Sequence, residues 1–595
     1  MNQDRTLTAL FAASSARFPD RPAVSDDRKT LTYAELDQAS DLLAACLVSR
    51  GIRAGDHVAI HMDRCADVFV AILATLKAGA AYVPVDTRYP AARRDLMLTH
   101  SGARTVIALP EHVEPLAHLS LDVLTLDGTP ARGTTSPVVS SPTEEGPRTS
   151  SAAAVLFTSG SSGTPKAIVL EHGNIVSFAS NAALPLLRPD DRTGQISSLS
   201  FDAFHFEMWT TLAHGAEVVV LPPVPRLLAS GFRAEMERRC ITAMLVPTMV
   251  VNHVVREDRD AFAPLRILQT GGDILLPTAC RDLLSGDFTG ELYNLYGPAE
   301  ITTACTAHRV TAADALRDTI PIGRALDDVT LHILAPGMCP VAPGESGELY
   351  VGGPGVARGY LGHPHLTEER FVPSPWPDGP RRLYRTGDLV RRRTDGALEF
   401  LGRADDQIKV LGYRVEPQEV ESALRRRPEV HEAVVLASGE TAGRHLAAFV
   451  VLDEAVPLKE LRAHAQAELP HYMVPSRFLI LPELPTTAHG KRDLDTLRSL
   501  LEADDRRRST RVAPTTKTER QLAAVWEELL GIEDIGADDD FFTLGGHSML
   551  AFRVQTRIQR ELGVGLEFRT LLTCSVLSAL AAEIDRAAEL CGAVS

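Results

Sequence analysis

Residues 156–166 read Leu-Phe-Thr-Ser-Gly-Ser-Ser-Gly-Thr-Pro-Lys and follow the apolar run Ala152-Ala-Ala-Val. An apolar run of this kind is typical of a buried strand, and the residues after it are rich in glycine and hydroxyl groups. Glycines leave backbone N–H groups open to an anion, the hydroxyls add donors, and Lys166 adds a positive charge. The stretch predicts a phosphate-binding loop, although it lacks the G-x-x-x-x-G-K-[ST] spacing of a Walker loop. A flexible surface turn is the alternative.

On both sides of this loop the pattern is α/β. From about residue 30 to 310, short β-rich runs such as His57-Val-Ala-Ile-His-Met and Glu217-Val-Val-Val-Leu alternate with helical patterns such as residues 67–80. Residues 330–402 carry many glycines and short strands, which indicates a β-rich subdomain, and a smaller α/β segment runs from Asp405 to about Leu500. The chain is therefore predicted to be α/β with largely buried strands.

The last part of the chain has a different pattern. Residues 501–515 are charged and then contain proline and threonine without an apolar period, which predicts a linker. Leu522, Val525, Trp526 and Leu529 then follow at helical spacing, and a second helix is expected from Ser548 to Gly563. Residues 516–590 are predicted to form a separate helix bundle.

Composition excludes several classes of protein. A net charge of −16 and a pI near 5.7 argue against a nucleic-acid partner. The eight cysteines form no C-x-x-C pair, so neither a zinc site nor a disulfide framework is indicated. The sequence contains no apolar run of bilayer length and no basic start followed by an apolar stretch, so a cytoplasmic protein without a membrane partner is expected.

Further motifs occur in order along the chain. They are Leu31-Thr-Tyr-Ala-Glu-Leu, Leu76-Lys-Ala-Gly-Ala-Ala-Tyr-Val-Pro-Val-Asp86, Phe201-Asp-Ala, Asn294-Leu-Tyr-Gly-Pro-Ala-Glu300, Gly347-Glu-Leu-Tyr, Tyr384-Arg-Thr-Gly-Asp-Leu389, Gly402-Arg-Ala-Asp405, Leu469-Pro-His-Tyr-Met-Val-Pro475 and His489-Gly-Lys491. With the phosphate loop, this series resembles the adenylate-forming superfamily, and most closely the adenylation domain of nonribosomal peptide synthetases.

The resemblance implies an adenylate-forming fold with a large N-terminal subdomain at 1–403 and a small α+β subdomain at 404–500. Asp405 would be the hinge between them, and after the linker at 501–515 an all-α peptidyl carrier domain would occupy 516–590. The implied reaction joins a carboxylate to the α-phosphate of ATP with Mg²⁺ and releases pyrophosphate, so catalysis depends on placement and on neutralising negative charge.

The resemblance also assigns residues to this chemistry. Lys491 would contact the substrate carboxylate and the α-phosphate, Glu300 would bind Mg²⁺, and Lys166 would hold the pyrophosphate end. Asp388 would accept the ribose hydroxyls, and Asn294 and Tyr296 would contact adenine. The full set of implied ATP-binding residues is Thr158, Ser159, Gly160, Ser161, Ser162, Gly163, Thr164, Lys166, Asn294, Tyr296, Asp388 and Arg403. Two positions depart from the family pattern, with Ala299 in place of Thr and His489 in place of Asn.

The segment Asp540-Phe-Phe-Thr-Leu-Gly-Gly-His-Ser548 resembles the site at which carrier proteins receive 4′-phosphopantetheine. Ser548 directly precedes the predicted helix, so a phosphodiester on its oxygen would meet the positive end of that helix. A helix N-cap is the alternative role for Ser548, but a cap does not account for the preceding Leu-Gly-Gly-His.

Family resemblance also gives the substrate pocket. Its positions are Asp202, Ala203, Phe206, Met244, Gln269, Gly271, Leu295, Thr303 and Ala304. Asp202 would pair with an α-ammonium and so indicates an α-amino acid. The other positions suggest a medium-sized apolar cavity for a leucine-like side chain. A larger or hydroxylated side chain is the alternative, because Gly271 leaves room and Gln269 could donate or accept a hydrogen bond.

Other functions stay open from the sequence alone. A CoA or fatty-acid ligase of the same superfamily would share the nucleotide residues but would lack Asp202 and the fused carrier, and a non-catalytic carrier would have lost the charged residues. The implied partners are an amino acid, a phosphopantetheinyl transferase, a condensation or tailoring enzyme acting in trans, and an MbtH-like activator.

Overall fold

The structure is a computed structural model that describes residues 5–126, 147–160, 163–405, 407–410, 413–438, 445–486, 492–507, 512–530, 535–541, 544, 546, 548–566, 570–571 and 574–592. These residues form two compact units. The large unit takes the described part of 1–160, 164–223 and 232–407, and the small unit takes the described part of 161–163, 224–231 and 408–595.

The strands alternate with helices along most of the chain. In chain order the strands are β1 (Pro22–Ser25), β2 (Thr30–Thr32), β3 (His57–His61), β4 (Ala81–Pro84), β5 (Thr105–Ala108), β6 (Asp122–Thr125), β7 (Ala152–Thr158), β8 (Lys166–Glu171), β9 (Arg192–Gln195), β10 (Glu217–Val220), β11 (Ala243–Pro247), β12 (Ile267–Gly271), β13 (Glu291–Tyr296), β14 (Thr306–Arg309), β15 (Arg324–Ala325), β16 (Thr330–Ala335), β17 (Cys339–Pro340), β18 (Ser346–Gly352), β19 (Gly359–Tyr360), β20 (Phe371–Pro373), β21 (Arg382–Arg392), β22 (Leu398–Arg403), β23 (Ile408–Val410), β24 (Tyr413–Val415), β25 (Val430–Ser438), β26 (His445–Leu452) and β27 (Arg477–Ile480).

The α-helices are α1 (Leu7–Arg17), α2 (Tyr33–Ser49), α3 (Ala66–Lys77), α4 (Ala91–Ser101), α5 (His172–Ala179), α6 (Thr211–Ala213), α7 (Val224–Ser230), α8 (Phe232–Arg238), α9 (Thr248–Glu257), α10 (Pro277–Ser285), α11 (Pro364–Arg370), α12 (Pro417–Arg425), α13 (Leu458–Glu468), α14 (Leu494–Arg507), α15 (Lys517–Leu530), α16 (Ser548–Arg557) and α17 (Leu577–Gly592). None of the helices in the described ranges is both long enough and apolar enough to span a bilayer.

Two mainly parallel sheets form the centre of the large unit. Their strand orders are β15-β14-β13-β12-β11-β9-β10-β1-β2 and β19-β8-β7-β4-β3-β5-β6. Parallel strands are covered on both faces and therefore contain continuous apolar runs, as β7 does. Helix α3 is buried almost along its whole length. The predicted α/β alternation is confirmed.

A third, antiparallel sheet of the large unit contains residues 330–403. Its order is β17-β16-β18-β21-β20, with β22 paired to β21. This confirms the predicted β-rich subdomain. The sheet matters for the site because β21 and β22 carry two of the predicted ATP-binding residues, Asp388 and Arg403, directly opposite each other.

The small unit contains the hairpin β23–β24, the sheet β25-β26-β27, and the helices that follow. Helices α15, α16 and α17 enclose Trp526, which is fully buried. The helical segment that begins with α16 ends at Gly563, which has the left-handed backbone conformation. The predicted helix bundle is therefore confirmed. Helix α14 continues to Arg507, so the first part of the segment predicted as a linker at 501–515 is helical. Leu497 and Leu501 pack against the β25–β26 sheet and keep this segment helical.

Candidate active site

The phosphate loop is the connection between two antiparallel strands. Thr158 at the end of β7 pairs with Lys166 at the start of β8. A Cβ at Gly160 would lie 1.9 Å from the carbonyl oxygen of Thr164, and Gly163 has a φ of 82°, so both positions require glycine. The buried Thr158 hydroxyl has no hydrogen-bond partner in the described part of the chain, which leaves it available to a phosphate oxygen. Ser161 and Ser162 lie outside the described residues.

Lys166 and Glu300 form a buried ion pair. The Lys166 Nζ lies 3.4 Å from the Glu300 Oε1, and the two side chains are 6% and 0% exposed. Strand β19 brings Tyr360 to this pair, since Tyr360 pairs with Ile168 of β8. The Tyr360 hydroxyl donates to the Glu300 Oε1 at 2.8 Å, and its ring lies 4.9 Å below the Lys166 ammonium. Burying a charge pair requires such additional partners. Tyr360 was not predicted, because no local motif marks it.

Asp388 and its neighbours form the second charged group. The Arg403 Nη1 donates to the Asp388 Oδ1 at 2.6 Å, and the Tyr296 hydroxyl donates to the Oδ2. Burial and the adjacent Asp388 charge raise the pKa of Tyr296 well above its usual value, so this phenol stays a donor. The Asn294 amide donates to the Pro321 carbonyl at 2.8 Å. The structure brings Asp388, Tyr296 and Arg403 together and gives Asn294 a backbone partner.

The predicted hinge residue is connected to this group. The same Arg403 guanidinium donates through its Nε to the Asp405 Oδ1 at 2.7 Å. Arg370 lies 3.6 Å from the other Asp405 carboxylate oxygen. Arg403 therefore links the carboxylate assigned to the ribose with the carboxylate assigned to the hinge.

Asp202 lies beside a strained turn. Thr302 and Thr303 have φ values of 61° and 70°, and their hydroxyls donate to the carbonyls of Gly355 and Asp202, both at 2.8 Å. Left-handed non-glycine residues of this kind concentrate at functional sites. Loss of hydration, with the negative charge of Glu300 adding to it, raises the pKa of Asp202 to about 7.

Four of the residues predicted for the pocket lie in or against one apolar cluster. It contains Phe206, Leu245, Ile267, Leu295 and Ala304, with Ala203 packed against it. Phe206 begins a π-helical turn, Phe206–Thr210, which precedes α6. Leu245 and Ile267 were not among the residues predicted for the pocket. They join the cluster because β11 and β12 are paired side by side.

Strand pairing gives Gly271 and Met244 different surroundings from those of the cluster residues. A Cβ at Gly271 would lie 2.8 Å from the Leu295 carbonyl oxygen, so the close approach of β12 and β13 requires glycine there, in addition to any space it leaves. Met244 pairs with Leu268 and directly precedes Leu245 in β11. Because side chains alternate along a strand, Met244 lies on the face of the sheet opposite to that of Leu245. The structure does not bring Met244 into the cluster.

The carrier helix begins where it was expected. Helix α16 starts at Ser548, whose side chain lies outside the described residues, as do all atoms of Lys491. Before the helix, the Gly546 N–H donates to the Phe541 carbonyl at 2.9 Å, and a Cβ at Gly546 would lie 2.4 Å from the Phe541 ring. The buried Phe541 therefore explains one glycine of the Leu-Gly-Gly-His motif as a packing requirement.

Family models match three consecutive regions of the chain. An AMP-binding enzyme model matches residues 11–361, the AMP-binding enzyme C-terminal domain matches 419–491, and the phosphopantetheine attachment site matches 520–584. The chain belongs to the AMP-binding enzyme family. It has the adenylate-forming fold with its C-terminal subdomain, followed by a carrier domain.

Known relatives of this AMP-binding enzyme are peptide synthetases. The chain is 36% identical over 581 residues to gramicidin S synthase 2 of Aneurinibacillus migulanus and 37% identical over 595 residues to malpibaldin synthetase of Mortierella alpina. These alignments cover 97% and 99% of the chain but only 13% and 11% of the two relatives. Among solved structures, holo-PA1221, an NRPS protein containing adenylation and PCP domains, aligns with a TM-score of 0.82 and 28% identity, covering 97% of this chain and 96% of that one.

The family implies ATP, Mg²⁺ and covalent 4′-phosphopantetheine, and the residues present fit each group. The Thr158 hydroxyl, for which the described residues provide no partner, and the Lys166 ammonium, which is paired with Glu300, suit phosphate oxygens. Glu300 offers the carboxylate that Mg²⁺ needs beside substrate phosphates. Ser548 stands at the N-terminus of a ten-residue helix, where a phosphodiester is favoured.

Proposed function

We propose that this chain activates an α-amino acid as aminoacyl-AMP and transfers it to the phosphopantetheine thiol on Ser548, as a ligase of nonribosomal peptide or amino-acid-derived natural product biosynthesis. The observation that carries the proposal is the arrangement around Glu300. This carboxylate pairs with Lys166 of the phosphate loop, and its charge acts on Asp202, so an ammonium site and a phosphate site lie within electrostatic reach of each other.

In the first half-reaction Asp202 binds the α-ammonium, while Lys166 and the loop hold the β- and γ-phosphates. The substrate carboxylate oxygen attacks the α-phosphorus, and the bond from that phosphorus to pyrophosphate breaks. Lys491 spans the attacking carboxylate and the α-phosphate, and Asp388 holds the ribose. Glu300 would hold Mg²⁺, which would neutralise negative charge on the phosphate oxygens when bound. Each of these groups acts through placement and charge rather than covalent chemistry.

In the second half-reaction Lys491 must leave the reaction site, and the phosphopantetheine thiol must take its place. Ser548 would hold phosphopantetheine, whose thiol would attack the aminoacyl carbonyl, so that the bond to AMP breaks and a thioester forms with AMP as the leaving group. We propose Asp405 as the hinge between residues 1–403 and 404–500, which withdraws Lys491 after adenylation. In support, the boundary between the two compact units falls directly after Gln407, and hinges absorb their dihedral changes in a few such residues.

The substrate and partners follow from the same proposal. The apolar cluster of Phe206, Leu295 and Ala304 favours an α-amino acid with a leucine-like side chain. An amino acid with a larger or a hydroxylated side chain is the alternative. A phosphopantetheinyl transferase must modify Ser548. A condensation or tailoring enzyme acting in trans would receive the product, and an MbtH-like protein is a further candidate partner.

ATP–pyrophosphate exchange tests the adenylation step. We expect exchange with α-amino acids and none with aryl or fatty acids. Lys491→Arg should lower the exchange rate by about 100-fold or more, because the planar guanidinium of arginine cannot replace the compact ammonium of lysine between carboxylate and phosphate. Lys459→Arg, at an exposed position on α13, is the matched control and should have no effect. Exchange only with aryl or fatty acids, or normal exchange by Lys491→Arg, would contradict the proposal.

A further inference from the structure

Glu207 carries a fully buried carboxylate with several hydrogen-bond donors around it. The residue is 0% exposed, and its Oε1 accepts from the backbone N–H groups of Ile196 at 2.9 Å and of Ser197 at 3.0 Å. Its Oε2 accepts from the side-chain amide of Gln195 at 3.0 Å. A buried carboxylate is costly unless such donors surround it. The donors therefore hold this side chain in one place.

The contact joins the two ends of one loop. Gln195 is the last residue of β9, so Ile196 and Ser197 are the first residues of the loop that follows. Glu207 belongs to the π-helical turn Phe206–Thr210, at which the loop ends. π-helical turns are rare and are frequently found at functional sites. The Glu207 carboxylate thus holds the end of the loop against its beginning.

This loop carries Asp202, the residue assigned to the α-ammonium. Within the loop, the His205 N–H donates to the Asp202 carbonyl at 2.9 Å, and the Phe201 N–H donates to the Ser198 carbonyl at 3.0 Å. From outside the loop, the Thr303 hydroxyl donates to the same Asp202 carbonyl at 2.8 Å. Asp202 lies in a turn, so its position depends on how the loop is held.

The loop also contacts the other mainly parallel sheet. The Ser200 hydroxyl donates at 3.0 Å to the carbonyl of Pro84, the last residue of β4, and the Ser198 hydroxyl donates to the Asp86 carboxylate. Strands β4 and β9 belong to different sheets. Glu207 fixes the loop to one sheet and the two serines fix it to the other. The loop that carries Asp202 is therefore attached on both sides.

We propose that Glu207 is a positioning residue of the adenylation step, which holds Asp202 in place for the α-ammonium by closing the loop against β9. The inference rests on the function proposed above and adds a residue to it. A displacement of about 1 Å can cost about 100-fold in rate when it moves a group that binds the substrate. The donors to Glu207 belong to β9 and its loop rather than to the groups assigned to ATP. Loss of the Glu207 carboxylate should therefore weaken binding of the amino acid and not of ATP.

Exchange kinetics of two Glu207 variants test this inference. Glu207→Leu removes both acceptor oxygens and should raise the KM for the amino acid by about tenfold or more, because hydrogen bonds to charged groups are strong. Glu207→Gln keeps one oxygen for the two backbone N–H groups, so this conservative variant should recover most of the binding, with a rise of about threefold. The KM for ATP should stay unchanged in both variants. Where Glu207→Leu does not fold, the rise in Glu207→Gln decides the test.

Two controls separate positioning from folding. Glu217 is another buried carboxylate of the same sheet, on β10, where it accepts from the Ser25 hydroxyl and from the Arg192 guanidinium. Glu217→Gln should lower the melting temperature without changing the KM for the amino acid. In an Asp202→Asn background, Glu207→Gln should no longer raise this KM, because the effects of residues that act through one another are not additive.

The outcomes are distinguishable. An unchanged KM for the amino acid in folded Glu207→Gln, or an equal rise in the KM for ATP, would overturn the inference while leaving the proposed function intact. A rise caused by Glu207→Gln that persists in the Asp202→Asn background would overturn the inference as well. Exchange with no amino acid at all would overturn the proposed function and this inference with it.

Discussion

Asp202 is a carboxyl group whose ionisation controls binding. Its pKa is raised to about 7 by loss of hydration, and an α-ammonium binds only the ionised form. We therefore expect the KM for the amino acid to fall by about tenfold per pH unit as the pH rises towards 7, and then to level off. Exchange kinetics measured from about pH 5.5 to 8.5 provide the test.

The control for this pH dependence is Asp202→Asn, which should raise the KM and remove the slope. Burial lowers the pKa of the nearby His205 to about 3, so this histidine stays neutral throughout the range and cannot produce the slope. For the free enzyme the sign is opposite. The folded state holds the Asp202 proton more tightly than the unfolded state, so ionisation lowers stability as the pH rises from about 4 through 7. A KM that does not change with pH in the wild type would contradict the assignment.

At the residue scale, motifs predicted the charged residues of the site but not the residues that contact them. The structure brings Lys166 to Glu300 and Arg403 to Asp388, residues that the sequence already assigned to one ligand. Tyr360 could not be predicted, because it reaches Glu300 only through the pairing of β19 with β8. Met244 could not be placed either, since its face depends on the register of β11 against β12.

At the scale of elements, local patterns predicted most helices and strands. A continuous apolar run sufficed for β7, and helical spacing of apolar residues before a glycine sufficed for the helical segment that ends at Gly563. The helix over 501–507 was not predicted, because the charged composition of this segment resembles a linker. Leu497 and Leu501 of α14 pack against a sheet whose strands lie far away in the sequence. Long-range packing of this kind is not visible in a local window.

Gly271 gives a prediction for the β12–β13 pair. In Gly271→Ala the new Cβ would lie 2.8 Å from the Leu295 carbonyl oxygen, and backbone can yield little there. We expect a loss of about 1–3 kcal/mol of unfolding free energy, seen as a lower melting temperature. Gly379→Ala is the matched control in the same unit, because its Cβ would meet only ordinary contacts at 3.6 Å or more. Equal melting temperatures for the two variants would contradict this account of the strand pair.

At the scale of the whole molecule, the chain joins an AMP-binding enzyme region to a phosphopantetheine attachment region. The three matched family regions follow one another in the order AMP-binding enzyme, its C-terminal domain, and phosphopantetheine attachment site. Holo-PA1221, which contains adenylation and PCP domains, aligns with 97% of this chain. The sequence predicted this order because each part carries its own motifs, whereas the substrate depends on side chains that three-dimensional packing brings together.

The central claim is that the chain loads an amino acid that it has itself activated onto Ser548. Intact-mass analysis tests this after incubation with a phosphopantetheinyl transferase, ATP, Mg²⁺ and an amino-acid mixture. Ser548→Ala should gain no mass, and Ser578→Ala, which changes a serine in the first turn of another carrier helix, should behave as the wild type. For the wild type we predict the mass of phosphopantetheine plus one aminoacyl group. A wild type that carries phosphopantetheine but no aminoacyl group, or an aminoacyl mass on Ser548→Ala, would contradict the claim.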